Sequence, residues 1–489
     1  MKKYFIRIHS FLFHNKTIKQ TILKNGLWLS FSEAIVRLLK LALIIYVARI
    51  LGVTEYGKFT FALAFISLFA IISDLGISPI IARDIAKDKG KEKEFSSALS
   101  LKILLALGGI ITIFIGSFFI TSDPLIRKLI WILGIYASSG SFSGIIYAFL
   151  QARQRMEYQA WINIFQTSLV TGAGFFVLFN FPSIRNLGLA YLFASLSSLI
   201  LLLLVFNFKF LRLKLSFNRT VWKNLLKTSW PLALAGMFAT IYNSIDSVMM
   251  GYWGQITETG WYNASYRIVG ITLIPMALIA QIFYPALSKF SKKSKASFQK
   301  IWNKQMEAMI TLAVPITIGG IVLAPKIIQF VYGKDFLPAV FSLRILLLMT
   351  GIVFVSTPFQ QVLVVVNQQK KLFWATMTGA IINIVLNILL IPKLSLNGAA
   401  ISTLITYLIV FFLFANLTRK FTAIRPMKLE LFSVLITVLF ASIPMYFTIK
   451  SSWINNLNTL FCVTIGGIIY LLSSFLIKKL LNMNGGFRR

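Results

Sequence analysis

The chain holds 489 residues, 57% of them apolar, and carries 49 Lys and Arg against 14 Asp and Glu, a formal net charge of +35. A water-soluble core of this size does not need so much hydrocarbon, and the apolar runs recur over the whole length, which leaves no room for a soluble domain. The basic excess does not point to nucleic acid, because it sits in short clusters between apolar spans without a nucleic-acid fold motif. Cys462 is the only cysteine, so an internal disulfide or a cysteine metal cluster is excluded.

In chain order, the first 24 residues carry Lys2, Lys3 and Arg7 but no long apolar core followed by a small-residue cleavage site. They read as a basic cytoplasmic arm on the membrane surface (1–24), not as a removable signal. Runs such as 103–120 are apolar on every face, which suits helices crossing a ~30 Å hydrocarbon layer and not barrel strands. Spans are expected at 25–50, 57–82, 96–121, 127–150, 158–181 and 187–208, forming an N-terminal six-helix lobe (25–210). A cytoplasmic linker (211–227) leads to spans at 228–251, 261–287, 305–331, 338–366, 372–391 and 396–417, a second six-helix lobe (228–418). Two extra spans follow near 430–449 and 456–477 (within 430–478), then a cytoplasmic tail (479–489). The expected fold is an all-α polytopic membrane protein of about 14 transmembrane helices.

The cations test this count. With the N-terminus inside, inner loops and tails hold about 35 Lys and Arg and outer loops about 7, the bias expected when no span has been missed or invented. Both termini are therefore expected in the cytoplasm of a multi-pass inner-membrane protein. Basic loops such as 83–95, 209–227 and 288–304 serve first as topology signals, and they also suit anionic lipid headgroups.

The halves repeat. Gly52-Val-Thr-Glu-Tyr-Gly57 after the first span corresponds to Gly254-Gln-Ile-Thr-Glu-Thr-Gly260 after the seventh, Pro182 and Gly188 to Pro392 and Gly398, and Pro79 to Pro285. Offsets near 205 residues imply duplication of a six-helix unit. An even number of spans separates the copies, so they run parallel, and such lobes are expected to enclose a cavity exposed alternately to each side. The last two spans fall outside the repeat, as packing elements or as the wall of a lipid groove.

Charges inside spans mark the candidate site. Glu33, Arg37 and Lys40 are spaced four and three apart on one face of the first span, with Ser30 extending the stripe. Facing hydrocarbon they would cost on the order of 8 to 10 kcal/mol together, so the face is expected to line protein or water. Asp74, Asp246, Arg267 and Arg344 are further intramembrane charges, and Thr240, Asn243 and Ser247 surround Asp246 in the seventh span. Glu33 could simply neutralise Arg37, and Asp246 pair with Arg267; that leaves Lys40 and Arg344 without acids. Surplus cation suits an anionic ligand, a diphosphate held by Arg forks and a Lys point charge. Arg37, Lys40, Arg267 and Arg344 are the candidate diphosphate contacts. Glu33, Asp74, Asn243 and Asp246 are the candidate cavity or coupling groups, with a proton or sodium ion as the coupling species and no cofactor. Arg49 and Lys102, near span ends, are expected to snorkel. Pro231, Pro275, Pro315, Pro325 and Pro358 are read as packing kinks or hinges, and Asn383 and Asn387 as interhelical hydrogen-bond glue.

The stretches Ala48-Arg-Ile-Leu-Gly-Val-Thr-Glu-Tyr-Gly-Lys-Phe59, Asp74-Leu-Gly76, Gly260-Trp-Tyr-Asn-Ala-Ser-Tyr-Arg267 and Asn397-Gly-Ala-Ala400 resemble the Wzx-type O-antigen flippases, polysaccharide exporters of the multidrug/oligosaccharidyl-lipid/polysaccharide superfamily. The resemblance implies a MATE-like pair of six-helix bundles with two extra helices. It also implies a central cationic cavity for an isoprenoid-diphosphate oligosaccharide, with Arg37 and Arg267 as cavity arginines by position. A polysaccharide polymerase and glycosyltransferases are the expected protein partners, beside the lipid-linked oligosaccharide and membrane lipids. A lipid II flippase and a cation-coupled drug exporter are rivals within the superfamily, although a drug exporter for cations should have a net acidic cavity. A membrane-embedded glycan polymerase or ligase is the rival from another class, disfavoured by short outer loops without a catalytic constellation.

Overall fold

The computed structural model describes residues 15, 17–291, 293–422, 424, 429–451 and 458–483. Most of the expected N-terminal arm and the end of the C-terminal tail therefore lie outside the described residues. The helices are α1 (Ile18–Ala70), α2 (Ile77–Lys87), α3 (Phe95–Ile120), α4 (Pro124–Ala152), α5 (Met156–Asn180), α6 (Ile184–Lys209) and α7 (Arg219–Tyr252). They continue as α8 (Ile256–Thr272), α9 (Ile274–Ser291), α10 (Lys295–Val331), α11 (Ala339–Val365), α12 (Gln369–Phe421), α13 (Leu429–Lys450) and α14 (Thr459–Met483).

Eleven helices of the described chain are long and apolar enough to cross a membrane, α8 with α9 counting as one. The 53 residues of α12 would run ~80 Å as one helix, far beyond a ~30 Å hydrocarbon layer. The backbone breaks it at Ser395 (φ 51°, ψ −132°), so it supplies two crossings. α1, also 53 residues, is broken at Gly52 (φ 79°, ψ 176°) and is not among the eleven. One crossing more for α12 and two for α1 give the fourteen expected. The exposed side chains agree with a lipid setting: α3 alone leaves Leu104, Leu107, Ile111, Phe114, Ile115 and Phe119 uncovered, a patch that water would not tolerate on a soluble protein.

The chain divides into two compact units, residues 1–252 and 253–489. In the first, α1 packs on α4, α5 and α7, and α4 packs on α2, α3 and α6. Thus α7, expected to open the second lobe, is counted with the first, because Ser67 of α1 and Ser244 of α7 share a hydrogen bond of 2.9 Å and the glycine Gly251 lies against the Phe61 ring. In the second unit, α11 packs on α8, α10 and α12, while α13 and α14 pack on each other and on α10.

The turns carry the repeat further than the residue matches do. Gly52 and Gly254 both have positive φ, 79° and 76°, a conformation glycine adopts without steric cost. Gln154, between α4 and α5, and Asn367, between α11 and α12, share the left-handed conformation at 57° and 61°.

Three expectations are corrected. Residues 18–24, assigned to the surface arm, begin the first helix. There Lys24 is fully buried and donates to Glu157 Oε2 at 3.0 Å and Asn15 Oδ1 at 2.6 Å, tying the foot of α1 to α5. The span expected at 57–82 is interrupted, because residues 71–76 form a turn in which Leu75 (φ 45°) and Gly76 (φ 70°) are left-handed. A Cβ at Gly76 would come within 3.0 Å of the Ser229 carbonyl oxygen of α7, so both the twist and the close approach require glycine there. Lys102, expected to snorkel, is 0% exposed and ion-paired with Asp74.

Candidate functional site

The first arm of α1 has two faces. One is packed: Ser32 Oγ donates to the Ala160 carbonyl at 3.2 Å, the Trp28 and Trp161 rings lie 5.7 Å apart, and Leu43 and Val47 are buried. The other carries Ser30, Glu33, Arg37 and Lys40, all exposed. Arg37 Nε donates to Glu33 Oε1 at 2.7 Å, with the two side chains 60% and 58% exposed. In water such an i,i+4 pair contributes only about 0.3–0.5 kcal/mol. Its weightier effect is to offset one cation, so the stripe of one acid and two bases carries a net charge of +1.

Asp74 sits in the turn after α1, held by elements on two sides. It accepts from Lys102 Nζ of α3 and, at 2.5 Å, from Ser78 Oγ. Ser141 Oγ of α4 donates to the neighbouring Ser73 carbonyl at 3.0 Å. The last of these bonds satisfies a backbone carbonyl of the turn, which inside a membrane must find a partner within the protein, and the first two hold the Asp74 carboxylate to α3 and to the start of α2. Asp74 therefore has a structural task, and the Asp74–Lys102 pair is the clearest feature that sequence reading missed. Its signal was present: an acid and a base inside successive spans imply that neither faces lipid.

On α7, two side chains of the polar stripe bond back to their own helix. Asn243 Nδ2 donates to the Ala239 carbonyl at 2.6 Å and Thr240 Oγ1 to the Gly236 carbonyl at 2.9 Å, while Ser244 meets Ser67 on the second arm of α1. Asn243 is exposed, and Asp246 is buried at 5%. Ser244, on the same helix, thus joins α7 to the second arm of α1, beyond the Gly52 break.

In the second unit, Ser265 of α8 touches Ser342 of α11 at 3.1 Å and donates to the Ala339 carbonyl at 3.0 Å. Arg267 and Arg344 each lie two positions beyond these serines, about 200° around their helices, so each projects away from that interface. Both are exposed. Arg267 has no ion pair or hydrogen bond among the described residues. Arg344 Nε donates to the Ile321 carbonyl of α10 at 3.3 Å. Pro325, four residues on, lacks the N–H that would have bonded that carbonyl. The geometry thus gives Arg344 the task of covering a proline kink. Pro315 frees the Thr311 carbonyl in the same way, and Tyr470 OH of α14 donates to it at 2.7 Å. α14 is therefore fastened to a kink of α10. Beside this, Ile318 of α10 and Leu439, Phe440, Ile443, Tyr446 and Phe447 of α13 line an almost wholly apolar cleft of about 390 Å³.

Among the described residues no group of three His, Cys, Asp or Glu is placed to hold a metal ion. Asn383 and Asn387 are both buried, with Asn387 Nδ2 donating to Asn383 Oδ1 at 3.2 Å.

A family model described as "Polysaccharide biosynthesis protein" matches residues 22–291, more than half of the chain. Among curated proteins, the chain is 22% identical over 390 residues to the "Probable low-salt glycan biosynthesis flippase Agl15" of Haloferax volcanii, covering 78% of this chain and 80% of that protein. Among solved structures it is similar to the lipid II flippase MurJ in an inward closed conformation, with a TM-score of 0.77, 17% identity, and coverage of 93% and 98%. It is also similar to an inward-facing multidrug-resistance MATE transporter of the MOP superfamily, with a TM-score of 0.64, 14% identity, and coverage of 79% and 94%. At these identities the two structures establish the fold alone.

Proposed function

The chain belongs to the polysaccharide biosynthesis protein family, and from that premise we propose that it is a flippase carrying an isoprenoid-diphosphate-linked oligosaccharide across the cytoplasmic membrane by alternating access, for cell-surface polysaccharide synthesis. The observation that carries this reading is the exposed stripe of Ser30, Glu33, Arg37 and Lys40 on a helix whose opposite face is packed. A charge at the helix centre facing hydrocarbon costs about 2.5–3.5 kcal/mol, so the stripe has to meet water or a polar ligand. Its net positive charge selects an anion over a cationic drug.

Arg37 and Lys40 are the proposed diphosphate contacts in the first unit, and Arg267 the cation of the second unit that acts on the same class of ligand. Glu33 and Asp246 are the proposed groups for a coupling proton or sodium ion; Asp74 is held by the fully buried Lys102, whereas the Glu33–Arg37 pair lies open to exchange. The apolar cleft beside α13 suits an isoprenoid chain, which needs hydrocarbon contact and no hydrogen bonds. The basic loops 83–95, 209–227 and 288–304 face the cytoplasm in this reading, as both termini do. The related Agl15 is named for glycan flipping, which supports the substrate class.

The test uses proteoliposomes with a labelled isoprenoid-diphosphate oligosaccharide loaded in both leaflets and an impermeant sugar oxidant outside. With active protein, the fraction of label open to oxidation should rise from about half to nearly all. Lipid II in a parallel arm separates the peptidoglycan reading. Label that stays half protected while a quaternary ammonium dye moves would replace this function with drug export.

A further inference from the structure

At the common end of α3 and α6 the first unit has a cleft of about 340 Å³, formed by the 3₁₀ turn Lys89–Glu94, the start of α3 and residues 211–214. The stripe on α1 contributes nothing to it. Lys93, Arg212 and Lys214 form an exposed cationic rim over an apolar floor that includes Phe95 and Leu99, each 3% exposed. The rim is held in place by its connection to α3. Ser216 N–H donates to Ser100 Oγ at 3.0 Å, Asn218 N–H to Ser97 Oγ at 3.2 Å, and Trp222 Nε1 to the Ser97 carbonyl at 2.8 Å. Leu215 and Phe217, 58% and 74% exposed, leave hydrocarbon beside the charged rim.

One acid complicates a simple anion site. Glu92 lines the cleft; its Oε2 takes Arg153, while its Oε1 is buried with no hydrogen-bond partner among the described residues. A buried carboxylate oxygen without a donor is costly, and a plain anion brought near it would add repulsion. The ligand that answers both features has an N–H-bearing cation a few bonds from a phosphate. Spans α3 and α6 end here, so the cleft lies at the level of lipid headgroups, and the exposed Leu215 and Phe217 offer a surface for acyl chains.

We infer that this cleft is a headgroup site for an ethanolamine phospholipid of the surrounding membrane. The ammonium pairs with the Glu92 carboxylate at the cleft wall, Oε1 turning outward to accept from it, and the phosphodiester lies among Lys93, Arg212 and Lys214. A phosphatidylglycerol satisfies the cations but offers the Glu92 carboxylate only neutral hydroxyl donors, whose hydrogen bonds are weaker than that of an ammonium. A phosphatidylcholine brings a cation that has no N–H.

Native mass spectrometry of the purified full-length protein with each of the three lipids added tests this. Phosphatidylethanolamine should be retained roughly tenfold more than phosphatidylglycerol, the factor that about 1.4 kcal/mol of selectivity produces, and more again than phosphatidylcholine. Glu92→Gln should abolish the preference for ethanolamine over glycerol headgroups without lowering phosphatidylglycerol retention. The double change Arg212→Ala with Lys214→Ala, which alters exposed side chains only, should reduce retention of both, so a failure of Glu92→Gln to fold leaves the site testable. Retention that follows net negative charge alone, or that the double change does not move, overturns the site.

Discussion

Asp74→Ala destabilises the protein by about 3–5 kcal/mol, whereas Asp74→Ala combined with Lys102→Met is close to neutral. The reason lies in what each change leaves behind. Lys102 is 0% exposed and Asp74 is 28% exposed, so removing the acid alone strands a buried ammonium. Removing both lets a thioether of similar length fill the space, and the cost of bringing two charges into the membrane interior disappears with them. The pair also closes the 71–76 turn, where Leu75 and Gly76 have left the helical ladder. The single variant should therefore lose transport at temperatures where it still inserts. Thermal unfolding of the purified protein in detergent, for both single variants and the double, yields the coupling energy directly. Singles no less stable than the double would mean that the pair contributes nothing to the turn.

The second large effect concerns the α1 stripe. Arg37→Gln or Lys40→Gln takes its net charge from +1 to 0, and Glu33→Gln raises it to +2. Truncating one partner of a desolvated charge pair costs about 2–5 kcal/mol, so each cation variant should slow transport of the lipid-linked oligosaccharide by roughly 30-fold or more. Glu33→Gln frees Arg37 from the 2.7 Å pair. It should lower the half-saturating substrate concentration while slowing turnover, because a ligand held more tightly leaves more slowly. Surface expression checks insertion in each case. Wild-type transport in both cation variants would remove the stripe from the substrate path.

The spans were legible in the sequence because length and apolarity are local properties, as is the glycine that ends the first arm of α1 at Gly52. The cation bias was equally legible, since it depends only on which residues fall between spans. The break at 71–76 was not. Leu75 is an ordinary helix former, and only the approach of Ser229 on α7 to Gly76 shows why the chain turns there. The pairings escaped for the same reason: Lys24 meets Glu157 across 133 residues and Lys102 meets Asp74 across 28, distances at which periodicity carries no information. Arg344 has a second task that its sequence position did not show. An arginine inside a span suggested a ligand, yet its Nε covers the carbonyl freed by Pro325. A proline four residues beyond a carbonyl is itself a sequence-level sign that some donor will be required. The stripe on α1 was readable because its spacing of four and three fixes one face whatever the tertiary packing.

Recognition of a diphosphate by cations of the membrane helices is the centre of the proposed function. Three substrates with the same isoprenoid chain and the same oligosaccharide, joined by a diphosphate, a monophosphate or a neutral ether, can be compared in the same proteoliposomes. The diphosphate should move at least tenfold faster than the monophosphate and the neutral analogue should barely move, with the differences collapsing in Arg37→Gln. Equal rates for all three would contradict diphosphate recognition.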